Sequence, residues 1–401
     1  MTNKKELVVT GNGFDLACGL KTSYTNFYDY MLYPEYFHLM YNEQPFETPM
    51  DGDNTKRKNI SNESWQDINL FFYIIYNCDI LKNKKSWTDF ESALKIYLER
   101  IFDNKSSEEL KYTQKFMHGK YGIDKLIPFE DIKYKILDEL KDFEEYFRDY
   151  LNYEVLKGKA LREDYNKKAE VLLKNVVGYS SRKFGDVLYG SPARQNLMLE
   201  LGGTPTSKLP FDPNTTLVEE LNFDSYLLTF NYTRPQEFID NDSKISYHSI
   251  NNIHGERDKT SEIIFGIDGL SIDEELNIFS KSYRRLNLPN EQIVLEEVNK
   301  IFFYGHGLGE ADYSYFMAMF DYYNLYKSNI KLIFCYSVYK DNPEERREEE
   351  TKRVVNLIDN YGKSLSDIHG KNLMYKLQIE GRIEIKEIST SVNSNPNKYS
   401  D

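Results

Sequence analysis

The sequence predicts an α/β fold: a mostly parallel sheet covered by helices, with a large helical insertion after the first strand-helix unit. Three observations carry that expectation. Leu7, Val8 and Val9 form a short apolar run that ends at Gly11-Asn12-Gly13, and Asp15 to Tyr28 then reads as helix. From about residue 30 to 220 helices and loops dominate, with little strand alternation. Beyond 222, short β-type runs alternate with helices, as they do when parallel strands are joined by crossovers.

The first run is strand, glycine turn, helix. Glycines let backbone come close to a ligand, and a helix start offers free N–H groups and partial positive charge, so an anion such as a phosphate is expected there. The dehydrogenase fingerprint does not fit. Leu16 stands where a third glycine is wanted, and Tyr24 to Tyr41 follows, where a second strand and an acidic residue should be. A nucleotide-binding turn without hydride-transfer machinery is the reading. A strand this short buries nothing alone, so it needs the later strands.

Residues 42 to 62 are rich in Pro, Gly, Asn and Asp and predict a loop, and Ser64 to Leu81 is mostly apolar. Thr88 and Glu91 have capping-box spacing at the head of a helix whose Phe90, Leu94, Tyr97, Leu98 and Ile101 share one face. Ile136, Leu137, Leu140, Phe143, Phe147, Tyr150 and Leu151 make the apolar stripe of another helix, and Leu161 to Val177 adds one more. In the second half, strands are expected at 226–230, 245–253, 263–265, 301–304 and 331–336, with an edge strand at 383–388. Helices are expected at 273–298, at 313–326 and from Pro343 to Gly362, the last with good chemistry at both ends. The division that follows is a discontinuous Rossmann-like nucleotide-binding domain, 1–30 with 222–388. A helical insertion or cap occupies 31–221, and 389–401 is a flexible tail.

Composition narrows the partners. Among 401 residues, 51 Lys and Arg stand against 64 Asp and Glu, a net charge of −13 that repels polyanions, so nucleic acid is not the expected partner. No apolar run approaches 18 residues and the N-terminus lacks a secretory pattern, so a cytoplasmic protein without a membrane span is expected. Three widely spaced cysteines predict neither disulfides nor a cysteine zinc site. The 33 tyrosines and 24 phenylalanines lack interleaved basic runs and read as helix packing rather than a base-stacking platform.

Ligands of open parallel sheets lie beyond the carboxyl ends of the strands. The residues there are Gly11, Asn12, Gly13, Phe14 and Asp15; Thr229 to Thr233 with Asn231; His254-Gly255-Glu256; Gly266 to Asp268; and Gly305 to Asp312, including His306 and Gly307. Each has a plainer explanation beside the functional one. Asp15 and Asp312 suit helix starts, Asn231 suits a turn, and a histidine is often structural. His254, on a loop before glycine, is the better placed of the histidines, with a pKa expected near neutrality. The segment GHGLG has the spacing of a nucleophile elbow, but Gly307 occupies the serine position, which leaves an anion or ribose site. His254, Asp268, His306 and Asp312 are metal-ligand types without metal-site spacing, and no metal is expected.

In order, GNGFD with TSY, WTDFE, LLTFNYT, IHGE, IIFGID and YGHGLGEAD resemble the AbiH family of bacteriophage abortive-infection proteins, from the N-terminus to about residue 330. The same order is similar, more remotely, to the sirtuin-like domains of NAD-consuming defence proteins. That resemblance implies a sirtuin-like sheet, catalytic roles for Asn231 and His254, and cofactor contacts from the first turn and from Gly305 to Leu308. Thr233 departs from it, standing where the sirtuin-like motif has Asp. Gly307 stands where both families often have Ser.

Two functions are expected from these readings. The first is an antiphage NAD glycohydrolase-like enzyme cleaving the N-glycosidic bond of NAD or a related nucleotide. The alternative is a non-catalytic nucleotide sensor acting through a partner protein. A phage-derived trigger and a homo-oligomer formed through the helical insertion are the expected partners beyond the nucleotide.

Overall fold

The computed structural model describes residues 5–32, 69–77, 87–102, 107–124, 130–156, 159–177, 225–233, 247–254, 263–267, 274–287, 295–338 and 342–390. Six strands form one sheet: β1 (Glu6–Thr10), β2 (Ser225–Thr229), β3 (Tyr247–Asn252), β4 (Lys300–Tyr304), β5 (Lys331–Tyr336) and β6 (Ile383–Glu387), in the order β3-β2-β1-β4-β5-β6. Every pairing is parallel. The first strand is thus central, with Val8 level with Leu227 on one side and Phe302 on the other. Strand order runs outward in opposite directions from β1 and β4, which opens a crevice between them at the carboxyl edge.

The inner strands β2, β1, β4 and β5 are apolar at their central positions because helices cover both faces, whereas the edge strands β3 and β6 carry polar residues. On one face Leu7, Val9, Leu228, Ile301, Phe303 and Phe334 pack against α9 (Tyr313–Tyr322), α10 (Pro343–Ser364) and α11 (Asp367–Ile379). On the other, Val8, Leu227, Phe302 and Ile333 meet Phe14 of α1 (Asn12–Ala17) and Tyr165, Leu172 and Val176 of α7 (Lys159–Val177). α7 lies within the stretch read as an insertion, yet it covers the sheet.

The remaining helices, α2 (Tyr24–Leu32), α3 (Leu70–Asn77), α4 (Trp87–Phe102), α5 (Glu108–Tyr121) and α6 (Glu130–Leu156), surround a separate aromatic core. Phe143 sits near its middle, 5.5 Å from Phe27 and 5.6 Å from Phe90 between ring centroids. The abundant Tyr and Phe are therefore packing residues here. Phe265, Leu276 and Phe279 join this core from the second half of the chain.

Four local expectations change. The helix expected from Asp15 to Tyr28 is two, α1 and α2, because the chain turns between them where Gly19 adopts φ +95°. Ile263 to Phe265 joins no ladder, because Phe265 N–H donates to Glu144 Oε1 at 2.6 Å and its carbonyl accepts from Arg284 at 2.8 Å, which leaves a strand neighbour nothing to bond. The long helix expected over 273–298 is a 3-10 turn, Glu274–Phe279, followed by the short α8 (Lys281–Leu286), with Leu295 to Val298 irregular. Thr88, read as the residue before the helix, falls inside α4, which begins at Trp87, and the Glu91 carboxylate pairs with Lys281. Residues 42–62 and 391–401, read as loop and tail, lie outside the described residues.

Candidate functional site

The glycines of the first turn have a structural task. Gly11 N–H donates to the Tyr304 carbonyl at 3.2 Å, Gly13 N–H to the Gly305 carbonyl at 2.7 Å, and Phe14 N–H back to Gly11 at 2.8 Å. A Cβ at Gly11 would lie 2.6 Å from the Cα of His306, and one at Gly13 2.8 Å from the Cα of Gly305. Gly305 adopts φ +70°, the left-handed region, and its own Cβ would lie 2.3 Å from the Phe14 nitrogen. Two strand ends interlock here, so the donors expected to face a phosphate are largely spent on backbone.

Above this lock lies a cavity of about 430 Å³, within the range of small-molecule sites. Gly11, Asn12 and Gly13 line it together with Asn231, His254, Gly305, His306, Gly307 and Asp312. Turns far apart in sequence thus share one crevice. Three expected contact residues do not line it: Phe14 is fully buried edge-on to Tyr304, Asp15 is buried behind the turn, and Thr229 accepts the Asn231 N–H at 3.1 Å. Asp268 lies outside the described residues.

Asp312 is the hub of the wall. Its Oδ1 lies 2.7 Å from His254 Nε2 and 2.9 Å from Lys281 Nζ, and its Oδ2 lies 3.3 Å from His306 Nε2. Lys281 also meets Glu91 at 2.8 Å, so one ammonium lies between two buried carboxylates. Burial would raise the Asp312 pKa, but Lys281 and His254 hold it well below the carboxylate range. Burial pushes Glu91 up to about 7 despite Lys281, making Glu91 the member of the triad that takes up a proton.

His254 departs from the expected neutral pKa: burial, then the neighbouring Lys281 charge, lowers it to about 4 in spite of Asp312. The ring is neutral, and its short bond to Asp312 places the proton on Nε2 and the lone pair on Nδ1. Nδ1 is buried without a hydrogen-bond partner among the described residues. So is Oδ1 of the Asn231 carboxamide, whose NH₂ group lies close enough to Asp15 to act on that carboxyl as a donor and lower its pKa. Asn252 fixes the loop carrying Asn231 by donating to the carbonyls of Asn231 and Thr233, both at 3.2 Å.

Asp15 accepts from Tyr165 at 2.9 Å and from Thr233 at 2.5 Å, and burial raises its pKa to about 6 against those bonds. This accounts for threonine at 233. A hydroxyl there donates to Asp15, whereas an aspartate would set two carboxylates against each other.

Sequence reasoning missed Lys281, Arg346, Glu350, Arg353 and Ser337, all on the cavity wall, and gave Glu91 only a capping role. Lys281 follows Ser280 at the start of a helix too short to show periodicity. The arginines lie on a charged helix that reads as a solvated surface.

The deciding observation is the match of residues 7–336 to the family described as bacteriophage abortive infection AbiH. This chain belongs to AbiH. AbiH membership gives it a role in bacteriophage abortive infection, and the matched span runs from β1 through β5. No curated protein and no solved structure matches this AbiH chain. Among its described residues no helix is long and apolar enough to cross a membrane.

Proposed function

We propose that the cavity binds NAD or a related nucleotide and hydrolyses its N-glycosidic bond, with the nucleotide loss limiting phage growth. The observation that carries this reading is the pair of unpartnered polar atoms, Asn231 Oδ1 and His254 Nδ1, buried in residues that line the cavity. Leaving such atoms unsatisfied costs about 1–3 kcal/mol each, a cost that ribose hydroxyls and a water would remove. The strand order, which is that of Rossmann-like dinucleotide-binding sheets, supports the same ligand class.

In this reading Asn231 orients the ribose and a water beside C1′. The C1′–N bond breaks with its electron pair leaving on the base, and the water oxygen bonds to the oxocarbenium-like carbon. The water's proton passes to His254 Nδ1 and then to solvent, while Asp312 stabilises the resulting imidazolium through Nε2–H. The products are the free base and an ADP-ribose-type sugar.

The depressed basicity of His254 favours a second reading, tight binding without turnover by a sensor that acts through a partner. Mass spectrometry of NAD incubated with purified protein, with and without phage lysate, separates the two. Release of nicotinamide with ADP-ribose, abolished in Asn231→Ala and His254→Ala, supports the enzyme. Intact NAD under every condition overturns it.

A further inference from the structure

We propose that Arg346 and Arg353 of α10 form the phosphate subsite of this cavity, taking the pyrophosphate of a dinucleotide or nucleoside diphosphate. The proposal rests on the nucleotide reading above and moves the anion away from the Gly11 turn, where it is first expected. At that turn the N–H groups of Gly11, Gly13 and Phe14 are already bonded to backbone carbonyls. Elsewhere on the lining two guanidiniums stand on one face of α10, seven positions and so roughly 10 Å apart along the helix.

The cations on the lining are paired differently. The Lys281 ammonium is matched by Asp312 and Glu91. The arginines instead share one buried carboxylate: Glu350 lies 3.5 Å from Arg346 and 3.4 Å from Arg353. Glu349, the other anion nearby, is 61% exposed at its side chain and lies 3.2 Å from Arg346 and 4.0 Å from Arg353. Each guanidinium has five N–H donors, more than these long contacts use, so the two carboxylates position the pair without saturating it. The two carboxylates balance the two arginines, so what this side of the cavity offers an anion is spare N–H donors rather than net charge. Asn231 and His254, with unpartnered Oδ1 and Nδ1, line the same cavity, so one ligand placing phosphate on the arginines presents its sugar to them.

Calorimetric titration tests this with ADP-ribose, which carries the pyrophosphate but no scissile base, and with inorganic pyrophosphate. The proteins are the full chain, Arg346→Gln, Arg353→Gln, the double variant, Arg346→Lys with Arg353→Lys, and His254→Ala. Each glutamine should weaken ADP-ribose about tenfold and the pair about a hundredfold, while the melting temperature falls because the buried Glu350 loses its cations. The lysine pair should restore part of the loss, and His254→Ala should retain pyrophosphate binding. Pyrophosphate binding that is lost in the double variant, with no affinity for ADP-ribose, would keep the subsite and remove the NAD reading. Binding unchanged by the glutamines, or no binding of either probe by the unmodified chain, overturns the subsite.

Discussion

Asp312 Oδ1 lies 2.7 Å from Nε2 of His254, and that one bond decides which ring nitrogen carries the proton. In Asp312→Asn a carboxamide NH₂ at the same place would donate to Nε2 and shift the ring proton to Nδ1. The lone pair would then be turned away from the ligand. If the proposed hydrolysis operates, turnover of NAD should fall by about 10²- to 10⁴-fold, and ¹⁵N shifts of the His254 ring should report the exchanged tautomer.

Lys281 and Glu91 join the aromatic helical core to the sheet edge. Lys281→Met would leave Glu91 and Asp312 facing each other without the ammonium, a loss of about 3–5 kcal/mol in denaturant unfolding. The double change Lys281→Met with Glu91→Leu should regain much of it, because it removes one of the two facing carboxylates together with the ammonium.

Asp15 and His254 impose opposite pH dependences in nearly the same window. The Asp15 pKa, raised to about 6, means that the folded chain binds the extra proton, so its contribution is full below the unfolded value of 3.8 and disappears as pH rises through 6. The His254 pKa, lowered to about 4, means that the unfolded chain binds the extra proton. Its contribution is present above 6.5 and disappears as pH falls through 4. Each is of the order of 3 kcal/mol. Relative to the unmodified protein, Asp15→Asn should make the melting temperature climb more steeply with pH from about 4 to 6, and His254→Gln should make it fall.

Gly305→Ala should prevent folding rather than weaken a ligand. The added methyl would lie 2.3 Å from the Phe14 nitrogen, and the residue would be forced to hold φ +70°. Gly122→Ala, which also has positive φ but meets no atom within 4 Å, is the control and should lose only about 1 kcal/mol by calorimetry.

Thr233→Asp should destabilise by several kcal/mol at pH 8, since its carboxylate would meet Asp15 in a buried site. Combination with Asp15→Asn should recover most of that loss, measured by urea midpoint.

The sheet and half of the site were legible because they follow local rules. Apolar runs as short as Leu7–Val9 and Phe302–Tyr304 announce strands covered on both faces, and the polar residues just beyond them fall at the ligand edge by topology alone. Asn231, His254 and Asp312 were found that way. Lys281 was not, since its meaning depends on Glu91, 190 positions earlier, and only tertiary packing brings the two together. Arg346 and Arg353 hid among the charges of α10 for the same reason. The glycine turn was read for its ligand alone, because nothing local says that its closest neighbour is a second glycine turn. Ile263 to Phe265 misled because apolar β-branched residues mark burial, and the element that buries them here is a helix bearing Glu144.

The position of β1 sets a schedule for the chain's own birth. Glu6 and Lys300, side by side across the central strand pair, are 294 positions apart, so a ribosome needs roughly 15–60 s after making the first strand to deliver its neighbour. Throughout that interval the cavity lacks a wall. Fragments released early by stalled or interrupted translation therefore end before the residues from Gly305 to Arg353 that complete its lining.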